Sequence, residues 1–330
     1  MDKELNHINN IRVLTRKLIL FIVILFSMKV NGVSQNAMAV QDLKTPSSSE
    51  KKLSDRKWIL GIVQTSLWAV ALISLEKAWY SDYEKSSFHT FNDWNEWQQM
   101  DKLGHLYSAY HINEQTATLW EWAGTERKKS ILIGGLSSLV FLNTIELLDA
   151  HSAKWGFSGS DVLANFMGSG FYIGQAFTWK EQRIRLKFSY HPKSYRDLND
   201  RANQLFGNGA IERALKDYNG QTYWASMNLK SFIPNSSLPN WLCLSIGYGS
   251  DNMLGGFKNE WTSLSGTVIN RSDLQRSRKY LLSADLDLSK LKPKSKVIKT
   301  IFSLLNTIKI PAPTIVFNTK SKASIRLLYF

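Results

Sequence analysis

Asp101 and His105 stand four residues apart in QMDKLGHLYSAYHINE (99–114). Glu146 and Asp149 stand three apart, and Asp161 and Asn165 four apart, in ELLDAHSAKWGFSGSDVLANFMGSG (146–170). Spacings of three and four place each pair on one face of a helix. The surrounding runs are apolar, and an ionisable group in such a setting must be paired, neutralised or used. Three chemistries fit. His105 with Glu146 and Asp161 is a donor set for a divalent metal, with water completing the shell. A carboxylate that orients His105 would let the imidazole take a proton from water or a lipid headgroup. The third chemistry is a buried hydrogen-bonded network that fixes helix register, with Lys102 neutralising a carboxylate. The network is the expectation and no cofactor is called for. His105, Glu146 and Asp161 are the catalytic candidates if chemistry is done.

Four apolar segments must position these side chains. Residues 58–80 (WILGIVQTSLWAVALISLEKAWY) are apolar on nearly every face, with Gln64, Thr65 and Ser66 interrupting. Residues 88–124 enter a helix near Asn92 or Asp93 and stop at Gly124. Residues 128–152 form a third helix. Residues 158–180 form a fourth, with Ser158 or Ser160 as N-cap and Ala164, Gly168 and Gly170 permitting close helix contact. Antiparallel packing of the third and fourth brings Glu146 close to Asp161, and His105 completes the cluster. The stretches approach bilayer-spanning length, so a membrane bundle and a buried bundle both fit.

After Lys180 the period changes from helical to alternating. Ile184, Leu186, Phe188 and Tyr190 share a face, as do Tyr223, Ala225, Met227 and Leu229. So do Leu242, Leu244, Ile246 and Tyr248, and likewise Tyr280, Leu282, Ala284, Leu286 and Leu288. PTIVFN (313–318) and ASIRLLYF (323–330) add weaker strands, and VIKTIFSLLNTIKI (297–310) a short helix. The fold class is therefore α+β, a bundle of about four hydrophobic helices and then a β-rich antiparallel module. A half-buried sheet on the helices is favoured over a small membrane barrel. Counting back in twos from Phe330 gives Leu328 but then Arg326 and Ser324, which make no lipid-facing stripe.

Arg12, Arg16 and Lys17 precede the apolar run Leu18–Met28, and AMA follows at 37–39. This is the layout of a signal peptide, 1–39, cleaved near 34–39. Residues 40–57 read as a linker, 58–180 as the helical domain and 181–330 as the β-rich module. Cys243 is the one cysteine, which excludes a disulfide framework, a Cys-pair metal site and, on the expected leader, a lipid-anchored cysteine. Export without disulfides fits a bacterial envelope. The net charge is +14, from 41 Lys and Arg against 27 Asp and Glu, but the basic residues are scattered and bring no nucleic-acid motif. The glycine-rich GYGSDNMLGG (247–256) has no P-loop lysine and reads as a hairpin turn, so no nucleotide is expected either. Membrane lipid or another envelope protein is the expected partner, and 12 Trp, 12 Tyr and 16 Phe suit a water–lipid boundary. His89, His111, His151 and His191 have no partners at ligand spacing and are assigned to surfaces or helix ends.

The order DKxxH, then Glu, a short linker and SxxDVLANxxG resembles the VanZ-like membrane proteins and the YfiM-like family of predicted periplasmic lipoproteins, with this chain a Bacteroidetes-type relative. The resemblance covers roughly Asp101 to Gly174, about a quarter of the chain. It puts Asp101, Lys102, His105, Glu146, Asp161, Asn165 and Gly168 at the family's motif positions. It implies an envelope location and a helical core rather than a reaction. The chain departs from the pattern in lacking the lipoprotein cysteine and in its long β-rich tail. The resulting expectation is a membrane-associated protein of the periplasm-facing envelope, outer membrane before inner, with a lipid-binding, partner-binding or structural role. The alternative is a hydrolase or transferase acting on a lipid-linked substrate.

Overall fold

A computed structural model describes residues 48–80, 83–263 and 265–329. The expected signal peptide, residues 40–47 and Phe330 lie outside the described residues. Helix α1, Ser48–Leu75, runs on into a π-helical turn at Glu76–Tyr80. It begins inside the segment expected to be a linker. Nothing from Ser48 to Lys57 is proline or glycine, and Glu and Lys propagate a helix well once it has started.

Helices α2 (Met100–Trp122), α3 (Arg127–Asp149) and α4 (Gly159–Thr178) form the packed body. Helix α2 starts later than the sequence suggests because Trp97, Gln98 and Gln99 have φ of 47°, 52° and 66°, a left-handed turn that no helix can continue. Contacts to the C-terminal half hold that turn. The Trp97 amide donates to the Gly256 carbonyl at 2.8 Å, and the Tyr248 hydroxyl to the Gln98 carbonyl at 2.7 Å. Ser158 caps α4 as expected, accepting from the Asp161 amide at 3.0 Å. The alternative cap, Ser160, instead donates to Asp93.

Small residues set the helix spacing. A Cβ on Gly168 would lie 2.1 Å from the Leu106 carbonyl oxygen, and one on Gly134 2.5 Å from that of Asn113. Helices α2 and α4, and α2 and α3, therefore touch backbone to backbone. Tyr110, Ala117, Ile131, Tyr172 and Ala176 form the core between them. Gln64, the polar break in α1, accepts from the Trp120 indole and donates to Ser137, tying α1 to both neighbours.

The second half is one antiparallel sheet. Its strands are β1 (Ile184–Tyr190), β2 (Gln221–Asn228), β3 (Leu242–Asp251), β6 (Ser277–Leu286), β7 (Ala312–Asn318) and β8 (Ser324–Tyr329), hydrogen-bonded in that order. A small hairpin of β4 (Glu260–Thr262) and β5 (Val268–Asn270) stands apart, and α5 (Asn199–Phe206) and α6 (Ala210–Lys216) lie between β1 and β2. After β2 comes the single turn α7 (Leu229–Phe232), and α8 (Lys296–Leu305) fills the position of the expected short helix. The sheet curls strongly. Tyr329 of β8 sits with its ring 5.9 Å from that of Trp224 on β2 and its hydroxyl 3.3 Å from Thr222. In a flat sheet four strand spacings would separate them by about 19 Å. Thr307 and Lys309 pair with the free edge of β1 at Phe188, narrowing the gap. β1 and β8 do not pair, so the barrel alternative is not realised as a closed cylinder.

The two faces of this sheet invert the usual polarity over much of its width. Lys187 and Asp285 are wholly buried inside the curl as an ion pair at 2.9 Å. Ser226 donates to the same carboxylate at 2.6 Å, and Lys309 lies beside it. The outward faces of β1 and β2 pack on α2, where Tyr107, Phe188 and Tyr223 bring their rings within 6.0 Å of one another. The expected sheet-on-helix packing holds there. It fails beyond β2, where Leu244, Ile246, Tyr280, Ile315, Phe317 and Ile325 point outward and are exposed.

Candidate functional site

The last turn of α3 and the first turn of α4 meet the start of α2, as the spacing of the polar residues predicts. The His105 imidazole has Nε2 at 3.6 Å from Glu146 Oε1 and 4.0 Å from Asp101 Oδ1. Its Nδ1 lies 3.0 Å from Asn165 Oδ1, and Asn165 Nδ2 donates to Asn143 Oδ1 at 3.0 Å. That chain orients the ring so that Nδ1 carries a proton and Nε2 faces the carboxylates.

Lys102 holds the other side. Its Nζ lies 2.5 Å from Asp93 Oδ2, 2.8 Å from Asp161 Oδ1 and 3.2 Å from Asp101 Oδ2. Asp93 also accepts from Ser158 and Ser160 at 2.7 and 2.6 Å. Burial alone would raise the Asp93 carboxyl, but these donors, Lys102 foremost, bring it down to about 2. Burial would likewise raise Asp101, and the His105 and Lys102 charges outweigh it. Asp161 goes the other way, raised by burial and by the Asp101 charge. Glu146 is pushed up to about 8, chiefly by burial and then by Asp149 and Asp101. One ammonium does not neutralise so many buried carboxylates.

Asp101, Lys102, His105, Glu146, Asp161 and Asn165 are thus brought together. Asp149 is not. Tyr80 donates to its Oδ1 at 2.7 Å, and its carboxyl is raised to about 7 mainly by burial. Three members escaped the sequence reading. Asp93 reads in the sequence only as a helix start, and nothing in its spacing marks it, because the left-handed turn after it is a tertiary feature. Tyr218, which donates to Asp101 Oδ1 at 2.8 Å, comes from the segment before β2. Asn143 is three residues before Glu146 on the same face of α3, and that spacing would have found it.

His111 is also not a surface residue. Its Nε2 lies 2.9 Å from the Leu186 carbonyl and its Nδ1 3.4 Å from Glu114, between α2 and β1. His89 Nε2 lies 2.6 Å from the Trp155 carbonyl, and His151 Nδ1 2.8 Å from that of Leu147.

No curated protein and no solved structure matches the chain. Residues 89–174, which span α2, α3, most of α4 and every residue of the cluster except Tyr218, match the model of a family described as predicted periplasmic lipoprotein (DUF2279), a match consistent with export to the cell envelope.

Proposed function

We propose that the chain is an exported, periplasm-facing envelope protein that rests its apolar outer surface against lipid, in a structural or lipid-binding rather than an enzymatic role. The observation that carries this reading is the inverted polarity of the sheet. Ile246, Ile325 and Leu327 are 63%, 73% and 79% exposed while Lys187 and Asp285 are fully buried. Water-soluble sheets expose the charges and bury the isoleucines, whereas lipid-facing strands alternate in the opposite sense. The helices extend the surface. Trp58, Ile59 and Ile62 on α1 and Leu132, Leu136 and Val140 on α3 are exposed, and both helices are long and apolar enough to cross a membrane. The net charge of +14 favours anionic headgroups. Outward-apolar strands are the habit of the outer membrane, which supports that membrane over the inner one.

Expression of the full chain in a bacterial host, followed by density centrifugation and a low-salt wash, tests the reading. Recovery in the membrane fraction is expected. Recovery entirely in the soluble fraction would overturn it. The second reading, a hydrolase or transferase on a lipid-linked substrate, draws support from His105 Nε2 facing Glu146. An envelope lipid profile that is unchanged in a His105→Ala strain would remove that support.

A further inference from the structure

We propose that His105, Asp101, Glu146 and Asp161 form a binding site for one divalent transition-metal ion of the zinc class. His105 Nδ1 is committed to Asn165 Oδ1, so whenever the ring is neutral Nε2 presents its lone pair, and the groups it faces at 3.6 and 4.0 Å are carboxylate oxygens of Glu146 and Asp101. Lone pair against lone pair is repulsive unless something positive lies between.

The second observation is independent of the ring. Glu146 has 1% of its side chain exposed, and among the described residues no side chain donates a hydrogen bond to either carboxylate oxygen, the Ser158 backbone N–H being the one donor that acts on the group. A buried carboxylate left in that state is costly, and its Oε1 points at His105 Nε2. The third concerns the donor set. Asp101, His105 and Asp161 each offer one donor atom, all within 4.8 Å of one another. Metal–donor bonds of about 2.0–2.2 Å require donors roughly 3–4 Å apart, so these side chains close by up to about 1–2 Å to form the shell, and Glu146 joins it through its 3.6 Å approach to His105.

One nitrogen with carboxylate oxygens suits zinc, manganese or ferrous iron better than calcium or magnesium. The oriented imidazole, with its second nitrogen bonded to an amide oxygen, is the outer support that metal-binding histidines have. Lys102 contacts Asp93, both oxygens of Asp161 at 2.8 and 3.0 Å and Asp101 Oδ2 at 3.2 Å, so Asp161 can join the shell only by turning one oxygen from the ammonium to the ion. The competing occupant is a proton, which would leave a charged imidazole held by Glu146 and Asp101 and no affinity for cations. The inference does not rest on lipid contact.

The full chain, purified in detergent and stripped with EDTA, is titrated with Zn²⁺ against a fluorescent chelator and, separately, with Co²⁺ followed by visible absorption. Saturable binding of one equivalent is expected, with Co²⁺ d–d bands and a higher melting temperature that EDTA reverses. His105→Gln and Glu146→Gln weaken binding at least tenfold, Asn165→Leu weakens it about tenfold through loss of ring support, and His151→Gln leaves it unchanged. Wild-type protein that takes up no stoichiometric Zn²⁺ and gives no Co²⁺ bands overturns the proposal. So does undiminished affinity in both His105→Gln and Glu146→Gln. Should a variant fail to fold, the wild-type titration and Co²⁺ spectrum still decide the matter.

Discussion

Lys102 Nζ stands 2.8 Å from Asp161 Oδ1 and 2.5 Å from Asp93 Oδ2, with all three side chains less than a tenth exposed. One lysine thereby pins the start of α2 to the first turn of α4 and to the segment before the left-handed turn. Breaking a buried charge pair by removing one partner costs about 3–5 kcal/mol, because the remaining charge is left without compensation. Lys102→Met should lose stability on that scale, and Asp161→Ala at least about 1–3 kcal/mol. Thermal and denaturant melts beside wild type measure both. An Asp161→Ala protein as stable as the parent would show that the network does not hold the helices together.

Gly168 marks where α2 and α4 touch. A Cβ there meets the Leu106 carbonyl oxygen, which is backbone and cannot swing away. Gly168→Ala is therefore expected to cost about 1–3 kcal/mol by overpacking, although alanine is the better helix former. Gly170, whose added Cβ would meet nothing within 4 Å, should tolerate alanine and gain a few tenths of a kcal/mol. Melting both variants tests the contact. Equal tolerance at the two positions would contradict it.

Glu114 of α2 and Arg185 of β1 join the helical body to the sheet at 2.7 Å. Burial alone would raise the Glu114 carboxyl, but Arg185 and then His111 overcome it and bring it from 4.5 to about 2. A folded value below the unfolded one means that the stabilisation is complete above the unfolded value, near pH 4.5. It is lost as pH falls from there through about 2. On the order of 3 kcal/mol is at stake. The wild-type-minus-Glu114→Gln difference in unfolding free energy should be constant from pH 6 to 8 and shrink between pH 4.5 and 3. A difference independent of pH down to 3 would argue against the pair.

Much of the helical body was legible in the sequence because spacings of three and four on a helix survive whatever the helices do next. Asp101 with His105, Asp161 with Asn165, and the Ser158 cap all lie where their intervals put them. What was hidden depends on pairings between distant segments. Asp93 enters the site through three residues at positive φ held by Gly256 and Tyr248, more than 140 residues later. Asp149 satisfies the same interval rule as its neighbours but turns to Tyr80. The strand alternation was equally readable, yet alternation alone does not say which face is buried. Counting from Phe330 also assumed a regular strand, whereas β8 shifts register against Ala312 and Thr314, so Leu327 and Leu328 both face out.

The interior ion pair provides a check on the sheet. Lys187→Met leaves Asp285 with the Ser226 and Ser245 hydroxyls and the more distant Lys309 ammonium, 3.8 Å away, and should cost about 3 kcal/mol or more in detergent-solubilised protein. Adding Asp285→Leu should recover part of that loss but not all, since Lys309 then loses its carboxylate. Full recovery in the double variant, or no loss in the single one, would mean that the interior is wetter than its burial implies.

The most direct test of the account is where the outward face of the sheet lies. Nitroxide labels placed singly at Ile246, Phe317 and Leu327 in a Cys243→Ser background, with a fourth at the exposed Asp273 as an aqueous reference, can be read in lipid vesicles by power saturation. Labels at the three apolar positions should relax strongly with oxygen and weakly with a water-soluble nickel chelate, and the label at 273 should do the reverse. Nickel accessibility at 246, 317 and 327 equal to that at 273 would place the face in water and contradict the account.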